Sequence, residues 1–391
     1  MSAIATAENP LLTRAGPARL RTAQAFREDV LPAGVQLVSA DDHWEVTQDI
    51  FYEQLPARFK DVAPRVWFDK VWWSAPRTDG GVTGVPAGIP EDSLEVFENL
   101  ARVPGYSREG RAQDLAAEGP RKSIVFPNSI LFYMHHPDLE LREEIFKIYN
   151  RYIAAESEAQ DGFYGVGVFP NWWDGDKAWD QIKALQDLGL KTFMLPTQPR
   201  GGDGKAVSYA DPRFEPFWSA LERSGMPLCL HIGEGFNFQD TDKRALLAPF
   251  LQQMAPFRLP LAQMIFGGVF ERHPAAKVVF AEGGISWVAP FLQDAEQFYD
   301  TYGQAIQPIP QRPGRYWRNN CYATFQTDLL GLTRLLDVIG PDRVMWAADY
   351  PHTEGTFGYT TDSVRQVIDN VSPEDARMIL GDTAMKVFRL D

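Results

Sequence analysis

Eight short apolar runs, separated by amphipathic stretches, constrain this sequence more than any other feature in it. They fall at 36–42, 122–126, 163–169, 192–196, 227–231, 277–282, 321–326 and 343–349. Each is apolar rather than alternating and is bounded by Pro, Gly or polar residues, which is the pattern of strands buried on both faces. Helical periodicity occupies 139–158, 176–188, 213–224, 250–272, 287–299 and 329–338. Strands and helices alternating in this number predict an α/β fold, a parallel (β/α)8 TIM barrel rather than an open sheet. No GxGxxG or P-loop follows any of the runs, which argues against a dinucleotide-binding sheet.

The barrel is expected to occupy 35–391, preceded by an N-terminal arm over 1–34. Residues 45–119 are largely irregular and include Trp72-Trp73 and a Gly/Pro-rich run over 78–86. A loop of that length inside a compact domain is a lid or a small subdomain. It is read here as an insertion over the barrel mouth after the first strand. The net charge of −14 and pI near 5.0 argue against nucleic acid or an anionic membrane as partner. The N-terminus lacks the apolar core of a signal peptide, and no apolar run reaches the roughly 20 residues of a membrane span. These features lead us to expect a cytoplasmic protein. The two cysteines, Cys229 and Cys321, sit in strand-like runs and read as core residues, not as a disulfide or zinc framework.

Several strand ends carry metal-ligand residue types. The first run ends Asp41-Asp42-His43, the fifth ends in His231, and the last delivers Asp349 ahead of Tyr350-Pro351-His352. Residues i and i+2 of a strand share a face, so Asp41 and His43 should project together into the mouth while Asp42 faces the helices. Each residue also has a plainer account: His231 as a structural histidine, Asp349 as a turn cap. On the first, fifth and eighth strands of one barrel they instead form a set of two carboxylates and two imidazoles. Such a set suits one divalent ion, with zinc the first choice and manganese or iron compatible. Glu45 and His352 lie just beyond the first and eighth strands. They read either as groups that orient the ligands or, with Glu282, as a second carboxylate-rich site for iron or manganese. Trp172-Trp173 after the third strand, Arg200 after the fourth and Gln326 at the end of the seventh are candidate substrate contacts. His135-His136-Pro137 reads as a capping or surface element.

The chain resembles the amidohydrolase superfamily, in the branch that holds α-amino-β-carboxymuconate-ε-semialdehyde decarboxylase and related aromatic acid decarboxylases. The resemblance rests on Ser39-Ala40-Asp41-Asp42-His43, Leu55-Pro56-Ala57-Arg58-Phe59, Leu115-Ala116-Ala117-Glu118-Gly119 and Asp211-Pro212-Arg213-Phe214. It continues through Gly267-Gly268-Val269-Phe270-Glu271-Arg272-His273-Pro274, Ala348-Asp349-Tyr350-Pro351-His352 and Ile379-Leu380-Gly381-Asp382. It implies a (β/α)8 barrel, a divalent metal (often zinc or manganese) and frequently a dimer. By position it implies Asp41, His43, His231 and Asp349 as ligands.

Two departures stand out. The first ligand is Asp41, where many members have His or Glu. The well-studied decarboxylases also carry a catalytic histidine after the sixth strand, where this chain has Glu282, a residue suited to act as base, neutral acid or additional ligand. The run 192–196 holds no lysine, which argues against a lysine-bridged pair of metals. The expectation is a metal-dependent hydrolase or non-oxidative decarboxylase acting on a small carboxylated or carbonyl-bearing molecule, with Asp349, Glu282 and His352 as its catalytic groups. The alternatives are an iron- or manganese-dependent oxygenase or lyase on the same fold, or a metal-binding partner subunit of such an enzyme. The expected assembly is a homodimer or a hetero-oligomer with a homologue.

Overall fold

Every predicted run contains a strand. In the computed structural model these are β1 (Val38–Trp44), β2 (Lys122–Pro127), β3 (Phe163–Gly165, resuming at Gly167–Val168), β4 (Phe193–Leu195) and β5 (Leu228–His231). β6 (Val278–Ala281), β7 (Cys321–Phe325) and β8 (Val344–Trp346) complete the series. The structure describes residues 11, 24–65, 75–76, 82–83, 103–233, 244, 248, 251–252 and 256–391. Neighbouring strands pair in parallel from β1 round to β8. Within β3, Val166 donates to Val125 O at 2.8 Å and Gly167 donates to Thr192 O at 3.2 Å, so the strand bonds β2 first and β4 next. The ring closes where Asp349 N–H donates to Asp41 O and His43 N–H to Tyr350 O, each at 2.7 Å.

The strands are apolar because both their faces are covered: side chains fill the barrel inside and helices pack outside. Helix α1 (Arg108–Glu118) starts on the Ser107 hydroxyl, which accepts from Gly110 N–H at 3.1 Å, and stops at Gly119 with φ 98°. Helix α2 (Leu139–Ala159) is capped by Asp138 and buries Leu141, Ile145, Ile148, Tyr149 and Ile153 along one stripe. That stripe lies so close to β3 that a Cβ on Gly165 would stand 2.3 Å from Ile153 Cγ1. Trp218, Trp317 and Trp346 are fully buried, so these indoles serve packing. Cys229 and Cys321 are buried and free, as core residues.

The helix expected over 250–272 is broken. Its described part forms Arg258–Phe266 and then Val269–Arg272, with Gly268 between them in the left-handed region at φ 68°. The 329–338 helix also departs from regular periodicity, opening with a π-helical turn at Gly331–Leu335 before Leu336–Ile339. Of the arm, residues 24–34 are described, and Phe26 N–H donates to Ala117 O on α1 at 2.7 Å. Much of 45–119, Trp72 and Trp73 included, lies outside the described residues. A short antiparallel pair, Ala75–Pro76 with Val82–Thr83, is present. Among the described residues no helix is long and apolar enough to cross a membrane.

A fully buried ion pair ties the insertion to the first strand. Arg111 of α1 reaches Asp42 of β1 at 2.7 Å with both side chains buried, and its guanidinium lies over the Phe163 and Tyr350 rings. Breaking such a pair on one side strands a buried charge. Arg111→Met should therefore cost about 3–5 kcal/mol in denaturant unfolding. Adding Asp42→Asn to that variant should restore most of the loss.

Candidate metal centre

β1 carries a bulge at its functional end. Ser39 pairs with Ser123 but Asp42 pairs with Val125, so one extra residue is taken up between them. Bulges of this kind re-aim side chains. Asp42 turns to Arg111, to the Ser39 hydroxyl (2.7 Å) and to Tyr350 N–H (3.1 Å). Asp41 and His43 turn into the barrel mouth. There they meet His231 from the end of β5, Glu282 one residue past β6, and Asp349 three residues past β8.

The geometry is tight. His231 Nε2 lies 2.9 Å from Glu282 Oε2 and 3.3 Å from Asp41 Oδ1. His43 Nε2 lies 3.2 Å from Asp349 Oδ1, 3.3 Å from Glu282 Oε2 and 3.7 Å from Asp41 Oδ1. The His352 ring stacks on His43 at 3.8 Å, with its Nδ1 3.0 Å from Asp349 Oδ1. Asp41, His43, His231 and Glu282 can each direct one ligand atom to a common point, and His43, Glu282, Asp349 and His352 form an overlapping group. Thus three of the four expected ligands converge with Glu282, and Asp349 joins them through His43 and Glu282.

Neighbouring groups fix these orientations. His231 Nδ1 sits 2.7 Å from Ile232 O, which directs Nε2 at the carboxylates. The Thr324 hydroxyl on β7 accepts from Glu282 N–H at 2.8 Å and donates to Asp41 Oδ2 at 3.5 Å. Glu282 and Asp349 both hold positive φ, 69° and 56°, and β6 ends immediately before Glu282. A non-glycine residue in that region costs of order 1–3 kcal/mol.

The site carries more polar atoms than it satisfies. Both ring nitrogens of His43, both Asp349 oxygens and His352 Nδ1 are buried without a well-aligned hydrogen bond, although His43 Nε2 and His352 Nδ1 lie 3.2 and 3.0 Å from Asp349 Oδ1. Such atoms gathered at one point, in a set of imidazoles and carboxylates, fit a divalent cation. In the metal-free protein, burial raises the Asp41 carboxyl to about 6 although His231 beside it pulls the other way. Burial opposes charge on His231, but Asp41 and Glu282 outweigh it and raise the imidazole to about 10. Burial likewise opposes ionisation of Glu282, yet the adjacent imidazoles hold its carboxyl well below the ordinary range.

The remaining predicted residues fall in different places. Glu45 is outside both groups, because Val46 N–H occupies one oxygen at 2.9 Å while Ser129 N–H (3.1 Å) and the Ser129 hydroxyl occupy the other. Among the described residues, His352 and Glu282 form a group with Asp349 and His43, and Glu45 is not one of its members. Trp172 is buried and stacks on Phe214 at 4.8 Å, while Trp173 is partly exposed beneath the Arg142 guanidinium. Arg200 donates to Gly204 O and Gln198 Oε1 within its own loop. Gln326 is buried, and its carbonyl accepts from the Ser363 hydroxyl at 2.6 Å.

Sequence reasoning missed Thr324 and Tyr106. The Tyr106 hydroxyl accepts from Asn128 Nδ2 at 2.9 Å, and its ionisation is pushed well up, by burial first and then by Glu45, Glu354 and Asp349. Its neighbour Gly105 permits this approach, since a Cβ there would stand 2.5 Å from Pro351 Cβ. Neither residue carries a local signal: one is a strand threonine, the other part of a Val-Pro-Gly-Tyr turn. A separate cavity of ≈ 250 Å³, lined by Arg111, Arg121, Ser123, Gly162 and Phe163 among others, lies toward the N-terminal ends of β2 and β3.

A protein-family model described as Amidohydrolase matches residues 137–390. A 2-amino-3-carboxymuconate-6-semialdehyde decarboxylase from Dictyostelium discoideum is 25% identical over 243 residues, covering 60% of this chain and 63% of that protein. The alignment thus spans less than two thirds of that relative. A gamma-resorcylate decarboxylase from Rhizobium radiobacter is 26% identical over 281 residues, covering 65% of this chain and 79% of that protein. Among solved structures, an amidohydrolase from Mycobacterium avium subsp. paratuberculosis superposes with a TM-score of 0.68 at 20% identity, covering 92% of this chain and 99% of the other. A dihydroxybenzoic acid decarboxylase from Polaromonas sp., with bound manganese and 2-nitroresorcinol, gives 0.67 at 16% identity, covering 91% and 97%. At these identities the structural likeness establishes the fold.

Metal uptake should displace protons, because coordinating imidazoles are neutral while those of the metal-free site are held protonated. Chelator-stripped protein should acidify a weakly buffered solution on manganese addition, and its affinity should fall as the pH is lowered. Thr324→Val should weaken metal binding about 10–100-fold with little change in melting temperature of the metal-free protein.

Proposed function

Given that the chain belongs to the amidohydrolase family, we propose that it is a metal-dependent enzyme releasing CO2 non-oxidatively from a small aromatic carboxylic acid. The observation that carries this reading is the convergence of Asp41, His43, His231 and Glu282, overlapped by Asp349, at the C-terminal mouth of the barrel with buried polar atoms left unpaired. The curated relatives named above, both decarboxylases, support the choice of reaction.

Asp41, His43, His231 and Glu282 would hold the ion, with Asp349 beside it. Bound there, a divalent ion supplies Lewis-acid polarisation of a substrate carboxylate and a neighbouring oxygen. The chain's own residues do the rest. Breaking the bond to the carboxylate leaves an electron pair on a ring carbon, which must take up a proton. Glu282 is engaged with two imidazoles and is a poor donor. His352 is the better one: burial and His43 oppose its charge, but Asp349 at 3.0 Å raises its pKa above the ordinary value. Tyr106, buried and within the influence of Asp349, would help keep water from the reacting carbon. Hydrolysis is the second reading, favoured by the carboxylate that stands where a decarboxylase carries a free imidazole. In that case Asp349 would take a proton from the attacking water.

The test is to load the full chain with manganese or zinc, measure metal per chain, and follow CO2 release from a panel of hydroxybenzoic acids. CO2 release that disappears in His231→Ala, with the fold intact by circular dichroism, is expected. Turnover of amides or lactones without CO2 would move the assignment to hydrolysis, and failure to retain any metal would remove both readings. His352→Gln should lower CO2 release about 10²–10⁴-fold while leaving metal content unchanged.

A further inference from the structure

Positive charge is buried at the C-terminal end of the barrel with no counter-ion among the described residues. Arg142, on α2, is 1% exposed. It donates through Nη1 to Met134 O at 2.5 Å and through Nη2 to Arg200 O at 3.1 Å, and its guanidinium lies 4.5 Å from the centre of the Trp173 ring. Its Nε has no partner. Burial alone, with no neighbouring carboxylate to offset it, lowers its pKa to about 10. His135, in the 3₁₀ segment Ser129–His135, has a buried Nδ1 that is also unpaired. Burial, then Arg200 and Arg142, pull that imidazole down to about 4, so it is neutral at pH 7. His136 differs, its Nδ1 accepting from Asp138 N–H at 3.1 Å as a capping group.

The position of this cluster matters as much as its charge. Met134 and His135 follow β2, Trp173 follows β3, and Arg200 follows β4. All therefore sit at the C-terminal end of the barrel, the end that carries the metal-ligand cluster. That cluster draws on β1, β5, β6 and β8, leaving the arc of β2 to β4 free of ligands. The loops after β1, β5, β6 and β8 bring carboxylates and imidazoles for a cation, and those after β2 to β4, at the same end of the barrel, bring two guanidinium groups and a neutral imidazole. A buried cation that lacks an anion is costly, whereas an incoming carboxylate would accept from the idle Arg142 Nε–H and from His135 in the tautomer that carries its proton on Nδ1.

We infer that Arg142, His135 and Arg200 form an anion subsite that receives a second acidic group of the substrate while the first is held at the metal centre. The preferred substrate is then an aromatic dicarboxylate rather than a monocarboxylate. This rests on the metal-centre reading above. The competing account is structural: Arg142 merely ties α2 to the rim through two carbonyls and an indole face, and no anion enters.

Calorimetric titration of the full-length, manganese-loaded protein with benzoate, isophthalate, terephthalate and inorganic phosphate separates these accounts. At least one dicarboxylate should bind about tenfold or more tighter than benzoate. That preference should shrink to within about twofold in Arg142→Gln and in Arg200→Gln. Should Arg142→Gln fail to fold, the half-buried Arg200 decides the matter, with melting temperature as the control. Equal affinity for benzoate and both dicarboxylates overturns the inference, as does a preference that survives in a folded Arg200→Gln variant. Phosphate binding without a dicarboxylate preference would make this an independent anion site and also overturns it. Chelator-stripped protein tests the underlying reading separately. If benzoate affinity is unchanged by stripping, the metal centre is not where the first carboxylate binds, whatever the preference among acids.

Discussion

A buried cluster of carboxylates sets the terms for the rest of this molecule. Glu282 lies within a few ångströms of Asp41 in one group and of Asp349 in the other, with His43 common to both and His231 in the first. Like charges removed from water repel strongly and demand a compensating cation. Without metal, protons on the two imidazoles meet part of that demand. The surroundings are arranged to keep the groups aimed inward all the same: Ile232 O orients His231, Thr324 bridges Glu282 and Asp41, and Arg111 holds Asp42 away from the centre.

Strain is stored at the same place. Two of the carboxylates stand on left-handed backbone, an arrangement that persists only where surrounding structure over-determines it. The hydrogen bonds that close the barrel between β1 and the segment after β8 supply part of that support for Asp349. The Thr324 hydroxyl, accepting from Glu282 N–H, does so for Glu282. Ligand placement and barrel closure are consequently one problem, since the atoms that seal the sheet belong to Asp41, His43, Asp349 and Tyr350.

The architecture was legible in the sequence because a strand covered on both faces must be apolar, and eight such runs leave few alternatives. Asp41, His43 and His231 were legible because hydrophilic residues ending apolar runs stand out. What escaped depends on partners distant in sequence. For Glu45 the sequence leaves a ligand-orienting role and a second-metal role open, and it gives no sign that Ser129, in the segment after β2, donates to its carboxylate. Thr324 is an ordinary strand residue until Asp41 and Glu282 arrive on either side. The break at Gly267-Gly268 was hidden because a Cβ on Gly267 would come within 2.2 Å of Ala210 Cβ, a contact no local pattern announces. Arg142 lies within an amphipathic helix and reads as a surface cation, yet its guanidinium is drawn inward by carbonyls from two other loops.

The closure of the barrel has a consequence for biogenesis. Asp42 and Tyr350, joined by a side-chain to backbone hydrogen bond, are 308 residues apart in the chain. Contacts of such sequence separation form late, because their loop-closure entropy must be overcome before they return any stabilisation. A chain emerging from the ribosome displays Asp41 and His43 long before His231, and Asp349 last of all. A partial product that stops short of Glu282 lacks part of the set, so the cluster is completed only when most of the barrel has been synthesised.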